Sequence, residues 1–157
     1  MIKKIVVFLL IFSSLFSFCG SASAEDSVEA PQAVNSYELF WPMVSGKTIG
    51  DSLYSLKIFK EKIMSAFIFG KAQKADNNLF LAAKRLLEAE KLLTTNKEDL
   101  ASTSLDNFLN NIKLSLTNWE EAKTTEFATP SIKENLNNRL NNIDILLKYL
   151  STQYGGD

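Results

Sequence analysis

The sequence predicts an all-α protein: four amphipathic helices, arranged as an antiparallel bundle or as stacked helical hairpins, following a cleaved signal peptide. Three observations carry that expectation. Apolar residues recur at spacings of three and four in four successive segments, no segment of any length alternates apolar and polar residues as a half-buried strand does, and the N-terminal residues follow a separate, export-like pattern.

The export pattern occupies residues 1–24. Lys3 and Lys4 form a positive n-region, IVVFLLIFSSLFSF is an apolar run too short to span a bilayer comfortably, and Ala22-Ser23-Ala24 offers the small residues that signal peptidase requires. Cleavage after Ala24 is expected, placing the protein in the periplasm, cell envelope or extracellular medium. Cys19 raises the rival of a lipid-anchored N-terminus, but Phe18 puts a bulky ring where lipoprotein signals carry a small residue. Residues 25–36, polar and containing Pro31, read as a flexible leader, and 37–157 as a single helical domain.

Within that domain the first helix starts near Leu53, with Leu56, Phe59, Ile63 and Phe67 continuing its stripe; Asp51 or Ser52 is the candidate N-cap, and Gly70 closes it. A tight turn leads into a second helix striped by Ala75, Leu79, Ala82, Leu86, Ala89 and Leu93. Its alanines suggest close approach to a neighbour, with Phe59, Phe67 or Trp119 filling the space opposite. Asn96 ends it. The third helix carries Leu105, Phe108, Leu109, Ile112, Leu116 and Trp119, and starts indistinctly because LASTSLD is poor in strong helix formers. The fourth starts clearly, with Thr129 as N-cap and Pro130 at the first helical position, and buries Ile132, Leu136, Leu140, Ile143, Leu147 and Leu150.

Composition narrows the chemistry. The sequence has no histidine and one cysteine, Cys19, which leaves with the signal peptide. The mature chain then holds no disulfide, no His- or Cys-dependent nucleophile, no His-ligated zinc and no haem of the common kinds. No DxDxDG loop is present, and no carboxylate pair is forced to face across a cleft: Glu88 and Glu90 point to different sides of their helix, as do Glu120 and Glu121. No catalytic, cofactor or metal residues are therefore assigned, and no enzyme is expected. Removing Lys3 and Lys4 leaves 15 basic against 18 acidic residues, a net charge of −3, interspersed without a polybasic run. Neither nucleic acid nor an anionic membrane surface is an expected partner on these charges, and the mature form has no expected membrane span.

Gly46-Lys47-Thr48 matches the end of a phosphate-binding loop. The motif needs its first glycine at position 41, which is Trp41, and a buried strand ahead of it, for which NSYELF is too short. These residues read better as the approach to a helix.

The run Asp51-Ser52-Leu53-Tyr54-Ser55-Leu56-Lys57 with Lys60-Glu61, and later Ala83-Lys84-Arg85-Leu86-Leu87-Glu88-Ala89, resembles the bacterial domain-of-unknown-function family numbered 5667 over roughly residues 45–125. That family shows a PDSxLYxLK-like opening, where this chain has Gly50 in place of proline, and an AxRLxE-like second helix. The resemblance implies an exported or envelope-facing all-α module without an assigned activity.

Among the matched positions, Tyr54 with Lys57 and Arg85 with Glu88 each lie three apart on one helix face. Two readings stay open: a packed ring beside a surface ion pair, or a shared polar patch that binds a partner. Convergence of Tyr54 and Arg85 across the two helices is what separates them. The expected function is a non-catalytic extracytoplasmic interaction module for a protein or cell-envelope component, of unknown oligomeric state. The alternatives are a small periplasmic chaperone or stress adaptor, for which Leu150-Ser151-Thr152-Gln153 has the wrong motif spacing, and a carrier of apolar ligands, which needs an open cavity.

Overall fold

A computed structural model describes residues 34–123 and 129–155. The expected signal peptide, Cys19, most of the leader and Gly156-Asp157 lie outside the described residues. Among those described, all regular structure is helical: α1 (Ser36–Leu39), α2 (Tyr54–Ala66), α3 (Lys71–Thr94), α4 (Glu98–Ala122) and α5 (Pro130–Tyr154).

Helix α3 is the centre. Its alanines and leucines alternate at three and four, and Ala75, Leu79, Ala82, Leu86 and Ala89 are all buried as the periodicity predicts. α4 runs antiparallel to it after a tight turn in which Asn96 adopts φ 55°, and α5 packs on it over a shorter stretch. Phe108, Ile143 and Leu146 complete a core against Leu79, Leu86 and Leu92. α5 is capped as expected, the Thr129 hydroxyl accepting from the Ile132 N–H with Pro130 behind it. Further ties are side-chain bonds: Arg139 Nη1 to Asp76 Oδ1 at 2.5 Å joins α5 to α3, and Asn142 donates to the Leu39 carbonyl of α1 at 2.6 Å.

Gly70 does not close the first helix, which ends at Ala66 with Phe67 as its C-cap; it stands instead at the N-cap of α3. Three further expectations need correcting. The third helix begins at Glu98, so LASTSLD is helical, and its innermost residues are mostly small: Ala101, Ser104, Ser115 and Ala122 are buried while Leu116 is exposed. The reason is close approach to α3. Ser104 donates to the Arg85 carbonyl at 2.8 Å and Ser115 to the Ala75 carbonyl at 2.7 Å, which brings the two backbones too near for leucine between them. Phe108, rather than Phe59 or Phe67, fills the core beside the alanines.

The second correction concerns the N-cap. Neither Asp51 nor Ser52 caps α2, whose N-cap position is Leu53 with no side-chain hydrogen bond. The Asp51 carboxylate reaches backwards instead, accepting from the Thr48 N–H at 2.7 Å and the Thr48 hydroxyl at 3.3 Å.

The third concerns the side of α2 that faces the body. Leu53, Leu56, Phe59, Ile63 and Phe67 are exposed, Phe59 to 61% and Phe67 to 73%, and the buried residue of α2 is Glu61. The helix is docked by its polar face. Its backbone makes only sparse approaches to the other helices, and charged side chains bridge the space.

Candidate functional site

Among the described residues, those bridging charges form the one ionic cluster that ties α2 to the body. On α2, Tyr54, Lys57 and Glu61 lie at spacings of three and four and share one face; on α3, Lys84, Arg85 and Glu88 face them. Lys57 Nζ pairs with Glu88 Oε1, and Arg85 bridges both carboxylates, Nη1 to Glu88 Oε1 and Nη2 to Glu61 Oε2. Lys84 Nζ completes Glu61 at 2.5 Å from Oε1. Glu88 is fully buried, at 0% exposure, and its second oxygen Oε2 has no hydrogen-bond partner of ordinary geometry among the described residues.

Three cations therefore meet two carboxylates, and the surplus positive charge is absorbed by backbone. Lys57 Nζ also donates to the carbonyls of Ser45 at 2.5 Å and Lys47 at 2.7 Å, while Lys91 Nζ donates to the Gly46 carbonyl at 3.0 Å. Gly46 holds φ +64°, a left-handed conformation in which glycine is unstrained. The loop thus turns successive carbonyls toward ammonium groups. A phosphate cradle requires the reverse polarity, N–H groups aimed at an anion, and the Thr48 N–H is already taken by Asp51. Trp41 is preceded by the short helix α1 and no strand, so Gly46-Lys47-Thr48 is a latch on α3, not a nucleotide loop.

The surroundings shift Tyr54, Lys57, Glu61 and Arg85 in directions that their contacts explain. Burial raises the Tyr54 hydroxyl to about 12, with the nearby Glu88 charge adding to it. Burial lowers Lys57 despite the opposing pull of Glu88. Burial alone would raise Glu61, but the Lys84 hydrogen bond and the Arg85 charge outweigh it and hold the carboxyl below its ordinary range. Arg85 is disfavoured by burial, yet Glu88 and Glu61 together raise it.

The four residues singled out from the sequence, Tyr54, Lys57, Arg85 and Glu88, do converge across α2 and α3. What they mainly touch is one another: Arg85 and Glu88 are buried, and only Tyr54 and Lys57 are part-exposed. Sequence reasoning missed two members, Glu61 and Lys84. The available signal was position, since Glu61 lies four residues after Lys57 on the face opposite the apolar stripe. A charged face that packs inward has the same spacing as one that faces water.

The model of a family described as a domain of unknown function, DUF5667, matches residues 46–151. The chain belongs to this family. No curated protein and no solved structure matches it. In this DUF5667 domain the matched stretch opens at Gly46, whose carbonyl receives Lys91, and contains every side chain of the cluster from Lys57 to Glu88. The matched stretch thus takes in both the latch at Gly46-Lys47-Thr48 and the first turn of α2 that carries Lys57.

The remaining candidates lie elsewhere. An apolar recess between α3, α4 and α5 is lined by Leu79, Ile112, Leu116, Trp119, Leu136 and Leu140. No described helix is long and apolar enough to cross a membrane.

Proposed function

We infer that this DUF5667 domain is a non-catalytic, extracytoplasmic interaction module that meets a protein or cell-envelope component through the outward face of α2. One observation carries the reading: α2 seats its charged face on α3 and presents Leu56, Phe59, Ile63 and Phe67 to solvent. Contiguous apolar patches beyond a few hundred Å² are rare on proteins that work alone, and they commonly mark a binding surface. The cluster beneath serves that surface by fixing which side of the helix faces out. Its carboxylates are engaged by Lys57, Lys84 and Arg85, which supports structural work in preference to acid-base chemistry. Export is supported by the pattern of Lys3, Lys4, the apolar run and Ala22-Ser23-Ala24.

Two measurements test this. Mass spectrometry of the protein from its host should find an N-terminus at Glu25; a lipidated Cys19 or an intact Met1 would refute the cleavage. A photo-crosslinking residue at position 59 or 63 should give adducts in cells that are absent when it replaces Lys113, exposed on α4. Equal yields from both faces would remove α2 as the binding surface.

A further inference from the structure

The partner's chemistry can be read from what flanks the apolar face. Residues advance about 100° each around a helix, so Leu56, Phe59, Ile63 and Phe67 fall on one side of α2, opposite Tyr54, Lys57 and Glu61. Lys60 and Lys62 then fall on the two flanks between those faces, and both are exposed. Between Asp51 and Asp76 the chain carries five lysines and a single carboxylate, Glu61. That carboxylate is turned inward onto Lys84 and Arg85, Asp51 is occupied by Thr48, and Asp76 by Arg139. The exposed side of α2 is thus apolar along its middle and basic along its edges, on a chain whose formal net charge is −1.

The geometry points to α2 as an in-plane anchor that lays Leu56, Phe59, Ile63 and Phe67 into the surface of an anionic lipid bilayer, with Lys60 and Lys62 at the headgroups. This rests on the interaction-module reading above and names its partner. Phe and Leu on one face with lysines beside them is the pattern of a helix lying in the bilayer interface. Thirteen residues of helix reach about 20 Å, short of the roughly 30 Å hydrocarbon core, so the helix lies along the surface. Lysine stems follow apolar surface while their ammonium groups stay in water, which suits flank positions. A second copy of the chain fits less well. Pairing two α2 faces about a twofold axis would gather Lys60 and Lys62 from both copies at one seam, and α2 supplies no outward carboxylate to meet them.

The test uses the full chain carrying Cys19→Ser and an environment-sensitive fluorophore on Ala66→Cys, an exposed position beside Phe67. A local probe is needed because the apolar N-terminal residues could tether the chain to any vesicle. Vesicles of phosphatidylcholine with phosphatidylglycerol should raise and blue-shift the emission, and phosphatidylcholine alone should do so far less. Lys60→Glu with Lys62→Glu should weaken the apparent partition by roughly tenfold or more, since each lysine near an anionic surface is worth about 1 kcal/mol. Unchanged circular dichroism would show that this variant is folded. No response to vesicles, or equal responses to both compositions, overturns the inference. Emission that rises with protein concentration in the absence of lipid overturns it in favour of a second copy. Protein adducts from position 59 without a vesicle response would sink the lipid assignment and leave the module reading standing, whereas loss of face-selective adducts together with no vesicle response would remove both.

Discussion

Lys57 of α2 and Glu88 of α3, 31 residues apart in the chain, form a part-buried ion pair that also draws in the carbonyls of Ser45 and Lys47. This contact orients α2. Turning the helix to bury Phe59 and Ile63 would leave Glu88 fully desolvated beside Arg85 alone and strip the loop carbonyls of their donor. Removing a partner from a buried ionic group is strongly destabilising, and that cost opposes the gain from burying two apolar side chains.

The pair should therefore be energetically coupled. Removing one partner by Glu88→Leu is expected to cost about 3 kcal/mol or more, and Lys57→Met added to it should recover part of that loss. A double-mutant cycle by urea denaturation reads the coupling. Costs that add to within about 0.5 kcal/mol would show that the pair does not hold the helix.

The core centres on α3, where Leu86 is fully buried. Leu86→Ala should lower stability by about 2–5 kcal/mol, as buried leucine truncations do. Replacing the exposed Leu56 by Ala should cost far less, since little of its surface is lost from contact. Similar losses at the two positions would mean that α2 is seated by its apolar stripe after all.

Acid should loosen the cluster. Glu61 has a folded pKa below its ordinary value, so it contributes stability that is present above the unfolded pKa, near 4.3, and lost as pH falls through the folded value. Glu90 has the opposite sign: burial raises its pKa, so ionisation costs stability as pH rises through that value. Thermal melts at neutral pH should thus show a lower midpoint for Glu61→Gln and no loss for Glu90→Gln. Between about pH 5 and pH 3, Glu61→Gln should lose less stability than the parent; matching pH profiles would contradict the assignment.

The loop before α2 should tolerate loss of its lysine and not of its aspartate. Lys47→Ala is expected to change stability by less than about 0.5 kcal/mol, because the carbonyl that accepts from Lys57 is kept by alanine. Asp51→Ala releases the Thr48 N–H and hydroxyl and should lower the melting midpoint measurably. Calorimetric titration with ATP and Mg²⁺ should show no saturable heat. Binding abolished by Lys47→Ala would restore the nucleotide reading.

Much of the fold could be read from sequence because local rules control it. The α3 stripe, the break at Asn96 and the Thr129-Pro130 start each rest on spacing, on a tolerated left-handed residue or on a cap, and each stands in the structure. Thr48, Asp51 and Ser52 were harder, since one carboxylate can cap forwards or brace backwards with the same neighbours. Ser104 and Ser115 gave no warning that they would be buried, because their partners are carbonyls 19 and 40 residues away. The orientation of α2 was beyond any local rule. Its sequence offers two faces, Leu56-Phe59-Ile63-Phe67 and Tyr54-Lys57-Glu61, and periodicity marks both without ranking them. Hydrophobicity by itself would bury the first. The charges of Lys84, Arg85 and Glu88, gathered on one side of α3 by its fold, reverse that choice, because a desolvated charge must find its counterpart wherever the chain brings it.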